Sequence, residues 1–286
     1  MALLHWLVEN GYRRLIVCHL DHRLRGRSSA ADARFVRRLA DEYELEFEGA
    51  ETDVRGFARD HRQSIETAAR TARYAFFLEV ARRRRCRTIF LGHHADDLVE
   101  TFLFNLFRGT GGGRIMRPVS NYSLGKTALT IVRPLLHVWR AEVDRYLTAA
   151  GLKFREDASN ARLDATRNRM RHKIIPALEK EFGRNIRQSL WRAATIAADE
   201  EEWLATLVPP TAEARELGTE LLRAEPIALQ RRIVRAWLRQ HEVAEVSFDL
   251  IERVRALAAP DAPVAKTNLP GDRHARRRAK KIFIDG

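Results

Sequence analysis

The stretch Thr88–Thr101, with the sequence TIFLGHHADDLVET, decides how this chain folds and where its chemistry is expected. Residues 88–91 form a short apolar run that predicts a buried strand. From residue 98 onward, apolar side chains recur at helical spacing and predict a helix. Two histidines therefore stand at the carboxyl end of a strand, and three carboxylates lie in the first turns of the next helix. Open α/β sheets bind their ligands at this edge.

The acidic residues of this junction have two interpretations. Carboxylates near a helix N-terminus complement the helix dipole, and Asp96 taken alone is interpreted as a helix cap. The combination of His93, His94, Asp97 and Glu100 needs more explanation than capping gives. Imidazoles beside carboxylates one helical turn apart can bind a metal–nucleotide complex or move protons.

Strand and helix patterns alternate on both sides of this junction. Further buried strands are predicted at Leu15–Leu20, Glu44–Glu48 and Leu129–Val132, and a polar turn at Ser120–Gly125. The intervening helices are predicted from residue 2, from about residue 29, from a cap at residue 64 and from about residue 140. This alternation predicts an α/β fold with a doubly wound, mainly parallel sheet.

Beyond about residue 186, helical patterns replace the alternation. We therefore expect a domain boundary near residue 180, with an α/β catalytic domain at 1–180 and an all-helical domain at 181–286. The second domain ends in a basic tail, Arg273–Lys281, which holds six cations and one histidine. These cations either contact phosphates or form a solvated surface.

Composition favours a polyanionic partner. The chain has 51 Lys and Arg against 38 Asp and Glu, a formal charge of +13. RNA or DNA is favoured over a membrane surface, with an unspecialised basic surface as the alternative. Cys18 and Cys86 lie far apart and predict reduced thiols. The sequence has no run apolar enough for a membrane span and no secretory signal, so we expect a cytoplasmic protein.

A second basic segment, Thr166–Arg171, predicts an RNA-facing loop and helix start. Asn168 can bond a base edge or a ribose, while Arg167, Arg169 and Arg171 can neutralise phosphates. The alternative interpretation is a solvated basic helix.

Several motifs occur in one order along the chain. They are HLDHRLR at 19–25, ExxARxxRY at 66–74, GHHADDxxET at 92–101, RGTG at 108–111, RPL at 133–135, EDxSN at 156–160 and TRNRxR at 166–171. The series resembles the tRNA(Ile)-lysidine synthetase family of the N-type ATP pyrophosphatase group. The resemblance is dense over residues 1–180 and weaker over the helical region.

The resemblance implies an adenine nucleotide α-hydrolase-like fold and a two-step reaction. ATP, with Mg²⁺, would adenylate C2 of the wobble cytidine in the CAU anticodon of tRNA(Ile). The amine of free L-lysine would then displace AMP and give lysidine. The charge that builds on the reacting phosphate must be offset by the metal and by fixed donors.

The resemblance also assigns roles to residues. Asp97 and Glu100 are candidates for the metal and the lysine ammonium, with Asp97 as the metal ligand, and His93 for a polar contact to the reacting phosphate. Arg70 and Arg73 would orient acidic or phosphate groups, although an exposed helix face is their alternative interpretation. The remaining candidates are His19, Asp21, His22 and His94 for the nucleotide, and Arg108 for RNA.

One element of the family pattern has no counterpart in this sequence. The family's first strand and its Ser-Gly-Gly-x-Asp-Ser loop are missing, and Met1–His5 corresponds to the residues that follow the loop. The missing central strand would lie between Leu15–Leu20 and Thr88–Leu91. Gly109–Gly113 cannot replace the loop, because these residues follow a helix C-terminus, where the dipole repels anions. We expect either a chain truncated at its start or a degenerate relative, and no adenylation of tRNA by residues 1–286 alone.

Two other functions stay open. A tRNA thiolase of the same group usually needs paired cysteines, which Cys18 and Cys86 do not provide. A non-catalytic RNA-binding fragment would keep Arg167–Arg171 and the basic tail without doing chemistry.

Overall fold

The computed structural model describes residues 1–24, 26–109, 115–124, 127–154, 166–209 and 215–285. The chain forms two compact units. The first unit contains Met1–Asp97 and Arg117–Arg162, and the second contains Leu98–Met116 and Leu163–Gly286. The second unit includes residues on both sides of position 180. The domain boundary expected near residue 180 therefore stays a prediction.

The first part of the chain alternates between helices and strands, as the sequence predicted. In chain order the elements are α1 (Ala2–Glu9), β1 (Ile16–Asp21), α2 (Arg27–Glu42), β2 (Glu46–Glu51), α3 (Val54–Asp60), α4 (Ile65–Arg84), β3 (Thr88–Phe90), α5 (Ala95–Phe107), β4 (Val119–Leu124), β5 (Thr127–Val132) and α6 (Arg140–Ala149). Helix α5 begins in the first unit and continues into the second. The predicted cap of α4 is confirmed, because the Ser64 hydroxyl accepts the Thr67 N–H at 3.1 Å.

The strands of the first unit are paired mainly in parallel, which confirms the predicted α/β class. Strand β1 runs parallel to β2, and β3 runs parallel to β5. Helix α4 covers them with a core that it shares with β5. The core consists of Tyr74, Phe76, Phe77, Leu78, Val80, Ala81, Leu129 and Ile131, with Cys18, Leu20, Ile89 and Leu91 packed against it. Parallel strands require such crossover helices.

Among the described strands, none lies between β1 and β3. Within that part of the chain β1 is hydrogen-bonded to β2 and β3 to β5, in two separate sheets. Both strands nevertheless contribute side chains to the same core, through Leu20 and Ile89. This arrangement agrees with the strand order that the resemblance implies.

The polar turn predicted at Ser120–Gly125 is wrong where the structure describes it. Residues 119–124 form β4, which pairs antiparallel with β5, while Gly125 lies outside the described residues. A strand at the border of a sheet can be polar, because one of its faces meets solvent. Asn121 accordingly is exposed, although it lies opposite Thr130 in the ladder.

The second unit combines helices with a sheet. After α5 its elements are α7 (Thr166–Arg169), a π-helical turn (Met170–Ile174), α8 (Ile175–Phe182), α9 (Ile186–Thr206), β6 (Leu217–Gly218), α10 (Thr219–Ala224), α11 (Ile227–Gln240), α12 (Phe248–Ala256), β7 (Lys266–Asn268), β8 (His274–Arg278) and β9 (Lys281–Asp285). Its core is centred on Trp237, Leu238 and Val254, all fully buried.

The prediction of an all-helical C-terminal domain is therefore wrong. Four antiparallel strands in the order β6-β9-β8-β7 form a sheet, and Ala275 and Ile282 on its inner face join the helical core. The sequence hid these strands because charged residues stand where apolar residues usually mark the alternation. Arg277 illustrates this, since it lies on the inner face and donates to the Ala259 carbonyl oxygen.

The basic tail is thus part of the fold. Arg273 donates to the carbonyl oxygens of His241 and Glu242, at 2.6 and 3.0 Å. Lys280 and Lys281 form ion pairs with Glu220 and Glu216. In the described part of the chain, no helix has the length and apolar character that crossing a membrane would require.

Candidate functional site

The junction between β3 and α5 is built around the carboxylate of Asp97. Its Oδ2 accepts the backbone N–H of His94 at 3.0 Å, so the third residue of the helix reaches back to the residue that precedes it. This contact is half of a capping box. The same oxygen lies 3.5 Å from Nε2 of His94. Asp97 therefore caps its own helix and also holds the His94 imidazole.

Asp96 caps a different helix from the one that contains it. Its Oδ2 accepts the N–H of Arg140, the first residue of α6, at 2.9 Å. The Nδ1 atom of His94 lies 3.7 Å from that oxygen. The buried His94 ring is thus placed between two carboxylates, and His93 occupies the preceding loop position with its Nδ1 also buried.

The donor set at this junction fits a metal that is shared with a nucleotide. Among the described residues, no three His, Cys, Asp or Glu side chains are placed to hold a metal ion by themselves. Mg²⁺ is usually bound by one or two carboxylates, and substrate phosphates and waters complete its coordination. Asp97 fits the role of one such carboxylate.

The carboxyl end of β1 brings together two other predicted site residues. Nη2 of Arg73, on α4, lies 3.5 Å from Nε2 of His22. Nδ1 of His22 is buried and has no hydrogen-bond partner among the described residues. Burial and, secondarily, the Arg73 charge lower the pKa of His22. The ring is therefore held neutral, with a buried nitrogen available to a ligand.

The neighbouring residues of β1 complete this strand end. Asp21 is buried and accepts the N–H of Arg23 at 2.8 Å. His19 lies opposite Gly49 of β2, and burial lowers the pKa of its imidazole. These residues and His22 form a polar strand end, and their role in binding a nucleotide stays a prediction.

Arg70 lies beside a buried arginine that sequence reasoning did not select. The Arg70 guanidinium stands over the Tyr74 ring, 4.9 Å from its centroid. Arg133, only 6% exposed, donates to the Arg117 carbonyl and to Ser120 Oγ. Burial lowers the pKa of Arg133, and Arg70 lowers it further. The signal for Arg133 was its place in an Arg-Pro pair directly after the strand β5.

In the second unit, Glu100 and Arg171 form one bidentate ion pair. Nε of Arg171 donates to Oε1 at 2.6 Å, and Nη2 donates to Oε2 at 3.2 Å. Glu100 is 2% exposed, so the guanidinium offsets a charge that burial would otherwise make costly. Glu100, which was predicted to contact the metal or lysine, therefore binds Arg171, which was predicted to contact RNA.

The other predicted RNA residues are placed less closely together. Arg169 is exposed and Asn168 is half-buried, both on α7. Arg108 is exposed after the end of α5, with its guanidinium 5.1 Å from the Phe104 ring centroid. The side chain of Arg167 and the whole of Glu156–Asn160 lie outside the described residues, as do residues 110–114. Gly109 has φ +64°, which agrees with helix termination there.

Two stretches of the chain match known protein families. Residues 1–178 match a family described as a PP-loop domain, and residues 217–283 match one described as a TilS substrate binding domain. A tRNA(Ile)-lysidine synthase from Thermosynechococcus vestitus is 35% identical over 268 residues, which are 92% of this chain and 75% of that protein. The chain belongs to the tRNA(Ile)-lysidine synthase family.

Other family members match most of this chain but extend beyond the match. The synthase from Geobacter sulfurreducens is 39% identical over 285 residues, covering 94% of this chain and 59% of the relative. That from Solibacter usitatus is 36% identical and covers 95% and 61%. The chain thus spans about three fifths of the length of these two relatives.

A solved structure outside this family shares the fold. The chain is similar to a U34-tRNA thiolase from Methanococcus maripaludis that carries a [4Fe-4S] cluster, with a TM-score of 0.53 and 17% identity. The match covers 69% of this chain and 67% of the thiolase. This supports the adenine nucleotide α-hydrolase-like fold, of which the PP-loop domain is a member.

Proposed function

We propose that the protein is a ligase that uses ATP to join free L-lysine to C2 of the wobble cytidine in tRNA(Ile) with a CAU anticodon. The observation that carries the proposal is the β3–α5 junction, where the family motif places an imidazole and a carboxylate in contact at a strand end. Membership in the lysidine synthase family supports the substrate assignment.

The nucleotide would be bound at the strand ends of the first unit. His19, Asp21 and His22 end β1, and His94 precedes α5. Arg73 supplies a positive charge beside His22, and Arg70 supplies another on the same helix. A neutral imidazole can donate to or accept from an adenine or ribose, while guanidinium groups suit phosphate oxygens.

Asp97 would serve as the carboxylate ligand of Mg²⁺, which would supply charge neutralisation at the reacting phosphate. The His94 N–H donor fixes the Asp97 carboxylate, so the ligand is oriented before the substrate binds. His93, in the preceding loop, would add a polar contact to the phosphate. The protein thus holds the charges in place through its backbone and side chains.

Lysine must react as a neutral amine, so its ammonium group needs a carboxylate to bind it and a base to deprotonate it. Asp97 and Glu100 are the proposed carboxylates. A carboxylate has about four lone-pair positions, so Glu100 can accept from lysine while Arg171 occupies two of them. The imidazoles of His93 and His94 are the proposed candidates for that base.

RNA recognition is assigned to the basic residues of the second unit. Arg108, Arg167, Asn168 and Arg169 are the proposed contacts to the anticodon arm, with Arg171 anchored by Glu100. Arg169 and Arg108 are exposed and can reach phosphates. Asn168 has both donor and acceptor groups for a base edge.

The protonation state of the Cys18 thiol argues against the thiolase alternative. Burial, with the nearby Glu48 charge, raises the pKa of Cys18 to about 11. Its thiol is therefore protonated at neutral pH and is a poor nucleophile.

The test is formation of lysidine from labelled lysine, ATP and a tRNA(Ile) transcript with a CAU anticodon. Two preparations are compared, residues 1–286 and the same residues preceded by a strand and a Ser-Gly-Gly-x-Asp-Ser loop. The proposal predicts lysidine from the second preparation, and none when the anticodon is changed to GAU. If neither preparation modified the tRNA while both folded, the proposed function would be wrong.

A further inference from the structure

The Glu100–Arg171 ion pair joins two residues that the proposed function assigns to different ligands. Glu100, on α5, is a proposed carboxylate for the ammonium group of lysine, while Arg171 lies in the segment proposed to contact RNA. Their side chains meet through two hydrogen bonds of 2.6 and 3.2 Å, across 71 residues of sequence. The guanidinium therefore occupies the position at Glu100 that a lysine ammonium would need, and the carboxylate occupies the position at Arg171 that a phosphate would need.

The two partners of this pair differ in burial. The side chain of Glu100 is 2% exposed, whereas that of Arg171 is 30% exposed. Removal of the cation would leave a buried carboxylate without compensation, which is costly. The guanidinium reaches the surface, and its planar shape matches a phosphate as well as a carboxylate. Arg171 can thus exchange its partner for an RNA phosphate, but only if another cation replaces it at Glu100.

The π-helical turn that contains Arg171 places it between the interior and a basic surface. Met170 begins this turn and Ile175 follows it, and the two side chains are 4% and 2% exposed. Arg169 and Lys173 are exposed. Turns of this kind are rare and are found frequently at functional sites. The same short segment therefore meets a buried carboxylate on one side and presents positive charges to solvent on the other.

A permanent structural contact is the alternative role of a buried ion pair. Glu201 with Arg232 and Arg235 illustrates that role, because the three side chains are similarly covered, with exposed fractions of 16%, 20% and 17%. The Glu100–Arg171 pair differs, since one partner is buried and the other reaches solvent. Both of its residues also have ligands in the proposed reaction. These observations favour exchange, and a permanent contact becomes an outcome of the test.

We propose that Arg171 is a positioning residue that makes lysine binding depend on RNA binding. An RNA phosphate accepts hydrogen bonds from the Arg171 guanidinium, and the lysine ammonium takes the position that the guanidinium leaves at Glu100. This inference rests on the proposed function for the identity of both ligands. Only noncovalent contacts are exchanged, because the Glu100–Arg171 pair breaks while an arginine–phosphate pair and an ammonium–carboxylate pair form. The buried carboxylate is matched by a cation before and after the exchange.

This exchange couples the two ligands thermodynamically. Either ligand binding alone must break the Glu100–Arg171 pair, whereas the second ligand finds the pair already broken. Each ligand therefore raises the affinity for the other by the same factor, and such factors commonly lie between about 5 and 150. Lysine that shares Glu100 with Arg171 meets a carboxylate whose charge is already compensated. It therefore binds more weakly than lysine that has replaced the guanidinium.

The experiment measures lysine binding in the presence and absence of RNA, without ATP so that no reaction occurs. Isothermal titration calorimetry gives the lysine affinity of the full chain alone and with a saturating tRNA(Ile) transcript. Fluorescence anisotropy gives the reciprocal effect of lysine on transcript binding. The parent is compared with Arg171→Gln and with Arg187→Gln, a control that removes one cation from the looser pair with Glu179 in the same unit.

In the parent, we expect lysine to bind at least about tenfold more tightly with the transcript than without it, and the transcript to gain the same factor from lysine. Arg171→Gln leaves the buried carboxylate without its cation, so it should bind lysine without RNA as tightly as the parent does with RNA. Its lysine affinity should no longer respond to the transcript. The Arg187→Gln control should keep the parent factor. A purely structural pair predicts no tighter lysine binding in Arg171→Gln.

Stability gives a second readout for the same substitution. Since lysine supplies the missing cation, it should raise the melting temperature of Arg171→Gln by more than that of the parent. A second variant, Arg171→Lys, keeps the fold testable, because it retains the charge and loses the two-point contact. It should bind lysine without RNA more tightly than the parent and show a smaller coupling factor.

Equal lysine affinity with and without the transcript in the parent would overturn the inference and leave the proposed function standing. An Arg171→Gln protein that bound lysine no more tightly than the parent would show a permanent structural contact. If ornithine showed the coupling and lysine did not, the exchange would stand while the proposed substrate would be wrong. If the transcript bound but lysine did not bind under either condition, the inference would fail together with the lysine assignment.

Discussion

Asp97 combines a structural contact with a proposed chemical role, and the two can be separated. Its Oδ2 accepts the His94 N–H and lies beside the His94 ring, so replacing the side chain by Ala would remove the cap as well as the charge. An asparagine keeps a side-chain oxygen that can accept the same N–H. The charge alone is what Mg²⁺ or a lysine ammonium would need.

We therefore predict that Asp97→Asn keeps the stability of the protein within about 1 kcal/mol, the usual worth of a helix cap. The same substitution should lower lysidine formation by about a hundredfold or more, as loss of a charge that stabilises the transition state does. Urea unfolding and the rate of lysine incorporation check the two parts. An active Asp97→Asn enzyme would remove Asp97 from the metal site.

Glu100 differs from Asp97, because its negative charge already forms an ion pair with Arg171 inside the protein. Replacing a member of a buried ion pair leaves the other charge without compensation, which costs about 3–5 kcal/mol when both partners are buried. Here the Arg171 side chain is 30% exposed, so part of that cost is relieved by solvent.

We predict that Glu100→Gln destabilises the protein by about 2 kcal/mol, half the value for a fully buried pair. The matched control is Glu179→Gln, whose pair with Arg187 is longer, at 3.8 Å, and about one-third exposed. That substitution should cost under about 1 kcal/mol. Equal effects in urea unfolding would show that burial does not set the strength of the Glu100–Arg171 pair.

At the scale of helices and strands, sequence periodicity predicted the elements that bury one face. The run at residues 88–91 and the apolar spacing after Leu98 became β3 and α5, and Ser64 caps α4 as expected. Strand β8 escaped prediction because Arg277 occupies an inner position that an apolar residue usually takes. The β8–β9 turn gave no signal either. Ala279 and Lys280 adopt positive φ there, in place of the Asn-Gly pair that usually marks such a turn.

For the candidate site too, the sequence predicted some contacts and not others. Residue types and spacing selected His94 and Asp97, which the structure brings into contact. Spacing could not reveal that Glu100 and Arg171, 71 residues apart, form a pair, because that contact depends on how the chain folds back. The Arg-Pro pair marked the position of Arg133, but only the fold shows that its guanidinium is buried near Arg70.

The pairing of α11 with α12 gives a prediction about pH. Arg231 and Arg255 both donate to Glu252, and these hydrogen bonds lower its pKa from 4.5 to about 2. A carboxyl group with a lowered pKa in the folded state stabilises the fold above its unfolded pKa. That contribution is lost as the pH falls from about 4.5 toward 2.

We predict that Glu252→Gln lowers the free energy of unfolding at neutral pH by on the order of 1 kcal/mol, a value reduced by the partial exposure of the pair. The difference between the parent and the variant should shrink as the pH is lowered to about 2. The control Glu220→Gln removes an exposed pair with Lys280 and should show a smaller difference at neutral pH. Melting curves at several pH values measure both. A difference that grew in acid would contradict the assignment of the lowered pKa to Glu252.

At the scale of the whole molecule, the hydrophobic cluster around Trp237 in the second unit takes its buried residues from Leu217–Ile282. Helix α9 is attached to it by Glu201, which forms ion pairs with Arg232 and Arg235 of α11. A region that contains its own buried core can fold independently. The proposed boundary near residue 180 would leave α9 and this core on the same fragment.

We predict that residues 181–286 alone unfold cooperatively on heating, with a near-ultraviolet circular dichroism signal from the fully buried Trp237. Trp237→Leu in the fragment should remove about 2–4 kcal/mol, because it leaves a cavity at the centre of the core. The control Trp203→Leu changes a side chain that is 62% exposed and should leave the transition nearly unchanged. A fragment that melts without a transition, while residues 163–286 melt cooperatively, would move the domain boundary toward the N-terminus. The π-helical turn and α8 would then belong to the folding unit, because they add the buried side chains of Met170 and Ile175.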